Sequence, residues 1–398
     1  MTADTSAPSD LDTAWREVAH ESVRRVEDRP PPRLRQRPDA LPAALTAEMA
    51  MTEELPESTR AVVHDRHGNP GQVLRLAESQ PLDATGPGQV TIRVTVRPIH
   101  PGDLLGVAGD DGSKDSQLAS PRIPGMEGAG VVVAVGSDVV GVEAGQRVAF
   151  FPAPGAWADY VTTAASAVVP VPEGLSEATA ALMLVNPLTA LMLLRAVEEA
   201  WAGTPRPFVQ TAAGSSVARL IAAAAERHEY PLVNLVRSTA SATALSDRFP
   251  SLPTIATSDP DWQVRLRDAL GGAASVVLDP VGGTLATALL GTLEDGGSMI
   301  SYGQLSGPTT TLRTSSVVGR ELRIRGVSIS QWSRLSFDQR SADIGFALAT
   351  AQSRPDLFGV AATYDLADFE AAIDHVDRPG KVGTVLLTNS TNPAGRAG

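Results

Sequence analysis

The stretch PFVQTAAGSSVARLIAAAAERHEYPLVNLVRS (Pro207–Ser238) holds three elements in immediate succession. PFVQTA reads as a short buried strand, SSVARLIAAAAERH as a helix, and PLVNLVR as a second buried strand. Strand, tight turn, helix and strand in this order form the unit of a doubly wound parallel sheet. The alternation resumes in ASVVLDPVGG and GSMISYG, and LRIRGVSIS is expected as a further strand.

The turn between the first strand and its helix carries chemistry. A full dinucleotide fingerprint has three spaced glycines. Here only Gly214 is left, and Ala218 stands where the third glycine would pack helix on strand. The backbone N–H groups of Ser215, Ser216 and Val217 would face a pyrophosphate at the helix N-terminus, and the serine hydroxyls add donors. At the end of the second strand an NAD site places an acidic residue against the ribose. NLVRSTAS offers Arg237 with Ser238 and Thr239 instead. A guanidinium suits a 2′-phosphate by charge and by its planar fork of donors, which favours NADPH over NADH. A ligand-free turn and a solvated surface arginine are the alternatives.

Working outward, the chain from Arg60 is β-rich: RAVVHD, QVTIRVTVRPI, GAGVVVAVG, QRVAFF and ADYVTT are short, valine-rich and punctuated by Gly and Pro. From Glu177 the period changes, and EATAALMLVNPLTALMLLRAVEEA reads as two apolar helical stretches broken at Pro187. KVGTVLLT supplies a closing strand. The expected plan is α/β: an extension over 1–58, a β-rich catalytic domain over 59–185, a doubly wound nucleotide domain over 186–331, and a return to the first domain over 332–398. In the extension, Leu11, Trp15, Val18, Ser22 and Val26 recur at helical spacing behind Ser9 as N-cap, and RPPPRLRQRP (Arg29–Pro38) is expected to be extended. The extension is expected to dock on its own protein or stay loose, with a partner-docking helix as the alternative.

The bulk numbers exclude several classes. A net charge of −12 argues against nucleic-acid binding. The absence of cysteine removes disulfides, a catalytic thiol and thiolate metal sites. With no apolar stretch of spanning length, no membrane partner and a cytoplasmic location are expected.

From about Arg60 to Thr388 the chain resembles the medium-chain dehydrogenase/reductase superfamily, closest to its zinc-free branch of quinone-oxidoreductase-like enzymes and 2-enoyl thioester reductases. The resemblance rests on RAVVHDRHGNPGQVLRL, VRPIHPGDLL, PRIPGMEGAGVVVAVG, GQRVAF, GAWADYV, NPLTALMLL, VVLDPVGG, LEDGGSMISYGQLSG and LRIRGVSISQW, taken in order. It implies a GroES-like catalytic domain followed by a Rossmann domain. It also implies cofactor contacts: Asn186 and Thr189 along the nicotinamide and its ribose, Gly214 to Val217 on the pyrophosphate, and Arg237 on the 2′-phosphate. Tyr302 and Gly303 match the strand end beside the nicotinamide, Val327, Ser328 and Ile329 a backbone edge near the carboxamide, and Lys381 a lysine near the cofactor. The edge strand in RELRIRGVSIS (Arg320–Ser330) implies a homodimer built across a two-fold axis.

In zinc-bearing relatives a Cys stands at His100 and a His at Met126. Met126 removes one ligand and no cysteine replaces the other, so no metal is expected. His100, Glu127 and Asp103 remain as the alternative set for a divalent ion. Without a Lewis acid, a developing alkoxide lacks its stabiliser, whereas an activated alkene spreads charge into an enolate. The expected activity is therefore NADPH-dependent hydride transfer to an enone, an enoyl ester or thioester, or a quinone. The alternatives are an NADPH-binding protein with a structural or sensing role, and a carbonyl or alcohol dehydrogenase. The tyrosine that donates the proton in enoyl thioester reductases has no counterpart, since no Tyr lies between Ala61 and Ala158. An ungapped count puts Asp111 at its position and His100 at the family's Asn. His100 and Asp111 are thus the candidate proton donors, beside water itself, and His100 suits neutral pH better.

Overall fold

A computed structural model of the chain describes residues 55–109 and 116–389. The expected N-terminal helix, the proline- and arginine-rich segment after it, and Asp111 lie outside the described residues.

The β-rich region supplies β1 (Ser58–Arg66), β2 (Arg75–Pro81), β3 (Gln89–Pro98), β4 (Gln117–Arg122), β5 (Gly128–Val135), β6 (Arg147–Phe150), β7 (Tyr160–Ala164) and β8 (Val168–Pro170). Helix α1 (Pro101–Ala108) follows β3. β1 pairs with β2 and β4, while β3 pairs antiparallel with both β5 and β7. Branched side chains fit a pleated, half-buried surface. Val90, Ile92 and Val94 of β3 accordingly share one apolar cluster with Val132, Val148 and Phe150. The PGMEG turn leads into β5. Gly125 has φ +84°, and a Cβ there would stand 2.4 Å from Cδ1 of Trp157, so only glycine fits.

The alternating region runs α2 (Val185–Trp201), β9 (Phe208–Gln210), α3 (Ser216–Arg227), β10 (Leu232–Val236), α4 (Thr239–Arg248), β11 (Thr254–Ala256), α5 (Trp262–Ala269), β12 (Ala274–Asp279), α6 (Gly283–Leu290), β13 (Leu293–Ser301) and β14 (Arg323–Gly326). These strands form one parallel sheet in the order β11-β10-β9-β12-β13-β14. Every residue of β10 and β12 is buried, as a sheet covered by helices on both faces requires. The order reverses between β9 and β12. That switch point opens a crevice beyond the carboxyl ends of the strands.

Two sequence expectations need correction here. The helical stretch from Glu177 does not break at Pro187. A short helix ends at Ala180, and α2 starts at Val185 with Pro187 in its first turn. There the missing N–H is one of the donors a helix leaves unbonded anyway. Nor is LRIRGVSIS a strand throughout. β14 stops at Gly326 and the chain enters a 3₁₀ turn over Ile329–Arg334, capped by Ser328.

The C-terminal part adds α7 (Phe337–Ser353), β15 (Val360–Asp365), α8 (Phe369–Val376) and β16 (Thr384–Thr388). β16 pairs antiparallel with β3 and parallel with β15, so the last described strand joins the sheet of the β-rich region. α7 is fastened to α2 through buried Asp343, which accepts Arg195 at 2.6 and 2.9 Å and Trp332 Nε1 at 3.0 Å. No described helix is long and apolar enough to cross a membrane.

Candidate functional site

The turn after β9 is stitched to both neighbouring strands: Thr211 N–H donates to Leu278 O (3.0 Å) and Ala213 N–H to Leu235 O (3.1 Å). Between them Ala212 sits at φ +47°, a left-handed conformation that costs an alanine about 1 kcal/mol. Ser215 caps α3. Its N–H donates to Ala212 O (2.8 Å), its hydroxyl accepts Ala218 N–H (3.3 Å), and its carbonyl accepts Arg219 N–H (3.0 Å). Of the first-turn donors, the N–H groups of Ser216 and Val217 are left without an acceptor inside the helix. Two open donors at the positive end of a twelve-residue helix, beside exposed Gly214, fit an anionic group. The Ser216 hydroxyl is engaged elsewhere, at 3.1 Å from Thr384 Oγ1.

Around the same crevice, Arg237 leaves the end of β10 exposed, with no side-chain partner among the described residues. Ser238 uses its hydroxyl to cap α4, accepting Ser241 N–H at 3.2 Å. Asn186 is buried and Thr189 half-buried, one turn apart on α2. Tyr302 follows β13, and its hydroxyl is enclosed without a partner. Burial, reinforced by the charge of Asp279, holds that phenol well above its usual range, so it stays a neutral donor. Gly303 passes Pro280 so closely that a Cβ would lie 3.0 Å from its carbonyl oxygen. Val327 is buried and its N–H extends the pairing to Ser301 O (2.9 Å), while Ser328 is exposed and Ile329 half-buried. Lys381 donates to Gly383 O at 3.0 Å.

The sequence reading missed a buried pair at the switch point. Asp279, at the end of β12, accepts Thr211 Oγ1 (2.5 Å) and Gly282 N–H (2.7 Å), tying the turn after β9 to the loop after β12. The signal was an acidic residue ending the apolar run VVLD.

His100 forms the N-cap of α1, where Asp103 Oδ2 accepts its backbone N–H at 2.9 Å. Its Nε2 lies 2.6 Å from Glu127 Oε2. Glu127, 1% exposed, comes from the PGMEG turn, and its other oxygen accepts the N–H groups of Leu184 (3.0 Å) and Val185 (2.7 Å). The carboxylate therefore caps α2 and holds the imidazole at once. A carboxylate accepting two backbone donors is an acceptor toward the ring as well, so Nε2 carries hydrogen, while the other side of the ring faces the Asp103 backbone N–H in a capping box. Burial opposes the imidazolium, but the hydrogen bond and charge of Glu127, with the charge of Asp103, outweigh it and hold the His100 pKa above 6.5. Burial pushes the Asp103 carboxyl up to about 6, against the pull of His100.

Met126 packs its side chain against the large apolar cluster around α2. Among the described residues, no group of three or more His, Cys, Asp or Glu side chains is placed to hold a metal ion. His100 Nε2 and Glu127 Oε2 are engaged with each other, and Glu127 Oε1 accepts two backbone N–H groups.

Residues 86–173 match the alcohol dehydrogenase GroES-like domain. Over 342 residues the chain is 28% identical to mitochondrial enoyl-[acyl-carrier-protein] reductase of Bos taurus, covering 84% of this chain and 89% of that one. Among solved structures, a Bacillus thuringiensis protein assigned as an NADPH:quinone reductase is 27% identical, with a TM-score of 0.70 over 83% of this chain and 99% of its own. A mycobacterial protein solved with NADPH is 26% identical, with a TM-score of 0.72 over 83% of this chain and 100% of its own. With a GroES-like region, a doubly wound sheet and these relatives spanning both, the chain is similar throughout its described residues to the medium-chain dehydrogenase/reductase superfamily, with quinone reductases and enoyl-[acyl-carrier-protein] reductases among its relatives.

Proposed function

We propose that the chain is an NADPH-dependent oxidoreductase that reduces an activated C=C bond, in an enone, an enoyl ester or thioester, or a quinone. NADPH, when bound, supplies the hydride. The open N–H groups of Ser216 and Val217, with Gly214 and Ser215, hold the pyrophosphate. Arg237 and Ser238 take the 2′-phosphate. Asn186 and Thr189 on one side, and Tyr302, Gly303 and the Val327–Ile329 edge on the other, border the nicotinamide, with Lys381 close by. The relatives support the cofactor: one is described as an NADPH:quinone reductase and another is a complex with NADPH.

The observation that carries this reading is the joint made by Glu127. One buried carboxylate bonds His100 and the first N–H groups of α2, the helix of Asn186 and Thr189. A proton donor is thus locked to a wall of the cofactor crevice. Reduction of a conjugated alkene leaves an enolate that needs a proton at its α-carbon, and an imidazolium stabilised by Glu127 has the acidity to deliver it. A panel of enones, enoyl thioesters and quinones, assayed for NADPH oxidation, tests the reading. Turnover of at least one class, lost in Ser216→Pro, is expected. Tight NADPH binding with no turnover of any class favours the non-catalytic alternative.

The assembly is proposed as a homodimer. β14 lies at the edge of its sheet, paired only with β13, and Ile324 is half exposed. A second copy pairing across a two-fold axis would cover this edge.

A further inference from the structure

We propose that Arg219, seconded by Lys381, is a cationic clamp for the dinucleotide pyrophosphate, parked one helical turn behind the anion-binding end of α3. The inference rests on the NADPH reading above and adds residues that neither the glycine pattern nor the helix terminus supplies.

Arg219 is 5% exposed, yet its guanidinium makes no hydrogen bond or ion pair among the described residues. The enclosed, unbonded atoms are Nε and Nη2, the two donors of the side-on fork that grips two oxygens of one anion. Asp356, the carboxylate nearest in charge, cannot serve. Its oxygens already take Arg248 at 2.6 Å and Arg354 at 3.0 Å. A buried guanidinium without an acceptor is unfavourable, and a native structure that keeps one calls for a reason.

Position supplies the reason. Arg219 stands three and four residues after Ser216 and Ser215, so all three share a face of α3, and long helical side chains lean toward the N-terminus. The rise over four residues is about 6 Å, within the span of an arginine side chain. The guanidinium rests on Gly359, where a Cβ would stand 3.2 Å from Nη2. Gly359 O accepts Thr384 N–H at 2.9 Å, and Thr384 bonds Ser216 at 3.1 Å. Contacts thus run without a break from the guanidinium to the first turn. Lys381 comes from the same C-terminal loop. Burial and the charge of Arg219 disfavour its ammonium, against Asp377. In a chain of net charge −12, a buried guanidinium with an unbonded donor fork, and a lysine three residues before Thr384, supply local positive charge for a phosphate oxyanion.

The test uses the full chain with Arg219→Met and Lys381→Met, titrated with NADPH and with NADH, and melted without ligand. Both variants are expected to bind both nucleotides about 10- to 100-fold more weakly, as for loss of a charge-assisted bond to phosphate. The loss is equal for the two because the pyrophosphate is common to them, whereas Arg237→Ala weakens NADPH alone. Unliganded Arg219→Met is expected to melt no lower than wild type, since it removes an unpaired buried charge. Unchanged affinities overturn the proposal, as does a lowered melting temperature in Arg219→Met with normal affinity in Lys381→Met. If wild type binds neither nucleotide, the NADPH reading itself fails. If wild type binds and both variants bind equally well, only the clamp fails.

Discussion

Glu127 and His100 are joined by a 2.6 Å hydrogen bond whose carboxylate also accepts the first N–H groups of α2. The imidazole is therefore more basic than a free one, with its pKa held above 6.5. A proton donor with a raised pKa is loaded below that value and empties as pH rises through it. The rate of alkene reduction is accordingly expected to fall on the alkaline side, and Glu127→Gln to move that limb to lower pH. The linkage has the same sign for stability: His100 stabilises the fold fully below about pH 6.5 and the contribution is lost as pH rises through the folded pKa. Profiles of kcat/KM against pH for both proteins check this, and superimposable profiles would remove His100 from the chemistry.

Ala212 occupies the left-handed region inside the turn between β9 and α3. Ala212→Gly is expected to raise stability by up to about 0.5 kcal/mol, the steric relief slightly exceeding the entropy glycine gains in the unfolded chain. Thermal melts without ligand read the effect, and a fall in melting temperature would show that the strain is offset by contacts of the methyl group.

Much of the plan was legible because periodicity reports burial. LVNLV and ASVVLD could be placed as strands covered on both faces, and GSSVAR as a turn opening a helix. What escaped were facts of long-range geometry. Nothing in PGMEG shows that Glu127 meets the N–H groups of residues 184 and 185, because 57 residues separate the partners. Arg219 looks like a solvent-facing residue of an amphipathic helix until the C-terminal segment returns and covers it. Pro187 misled because a proline that breaks a helix and one that opens it look alike locally.

Met126 fills apolar space where a ligand would stand, and Glu127 is spent on hydrogen bonds. The purified protein is expected to carry no stoichiometric zinc, and a chelator to leave activity and melting temperature unchanged. Elemental analysis giving one zinc per chain would reverse this.

β14 presents Arg323, Ile324 and Arg325 on an open edge. Ile324→Lys sets three consecutive cations against the same three across a two-fold axis and is expected to shift the protein from dimer to monomer. Light scattering at micromolar concentration reads the mass, and a wild-type monomer would refute the dimer.

The proposed reaction delivers hydride to one alkene carbon and a proton to its neighbour. NADPH carrying deuterium at the transferable position of its nicotinamide tests it most directly, with product analysis for whichever panel substrate is turned over. For an enone or enoyl thioester, deuterium is expected at the β-carbon and a solvent proton at the α-carbon, with turnover lowered in His100→Gln. Deuterium on a carbinol carbon, or label retained in NADPH with every substrate, would contradict it.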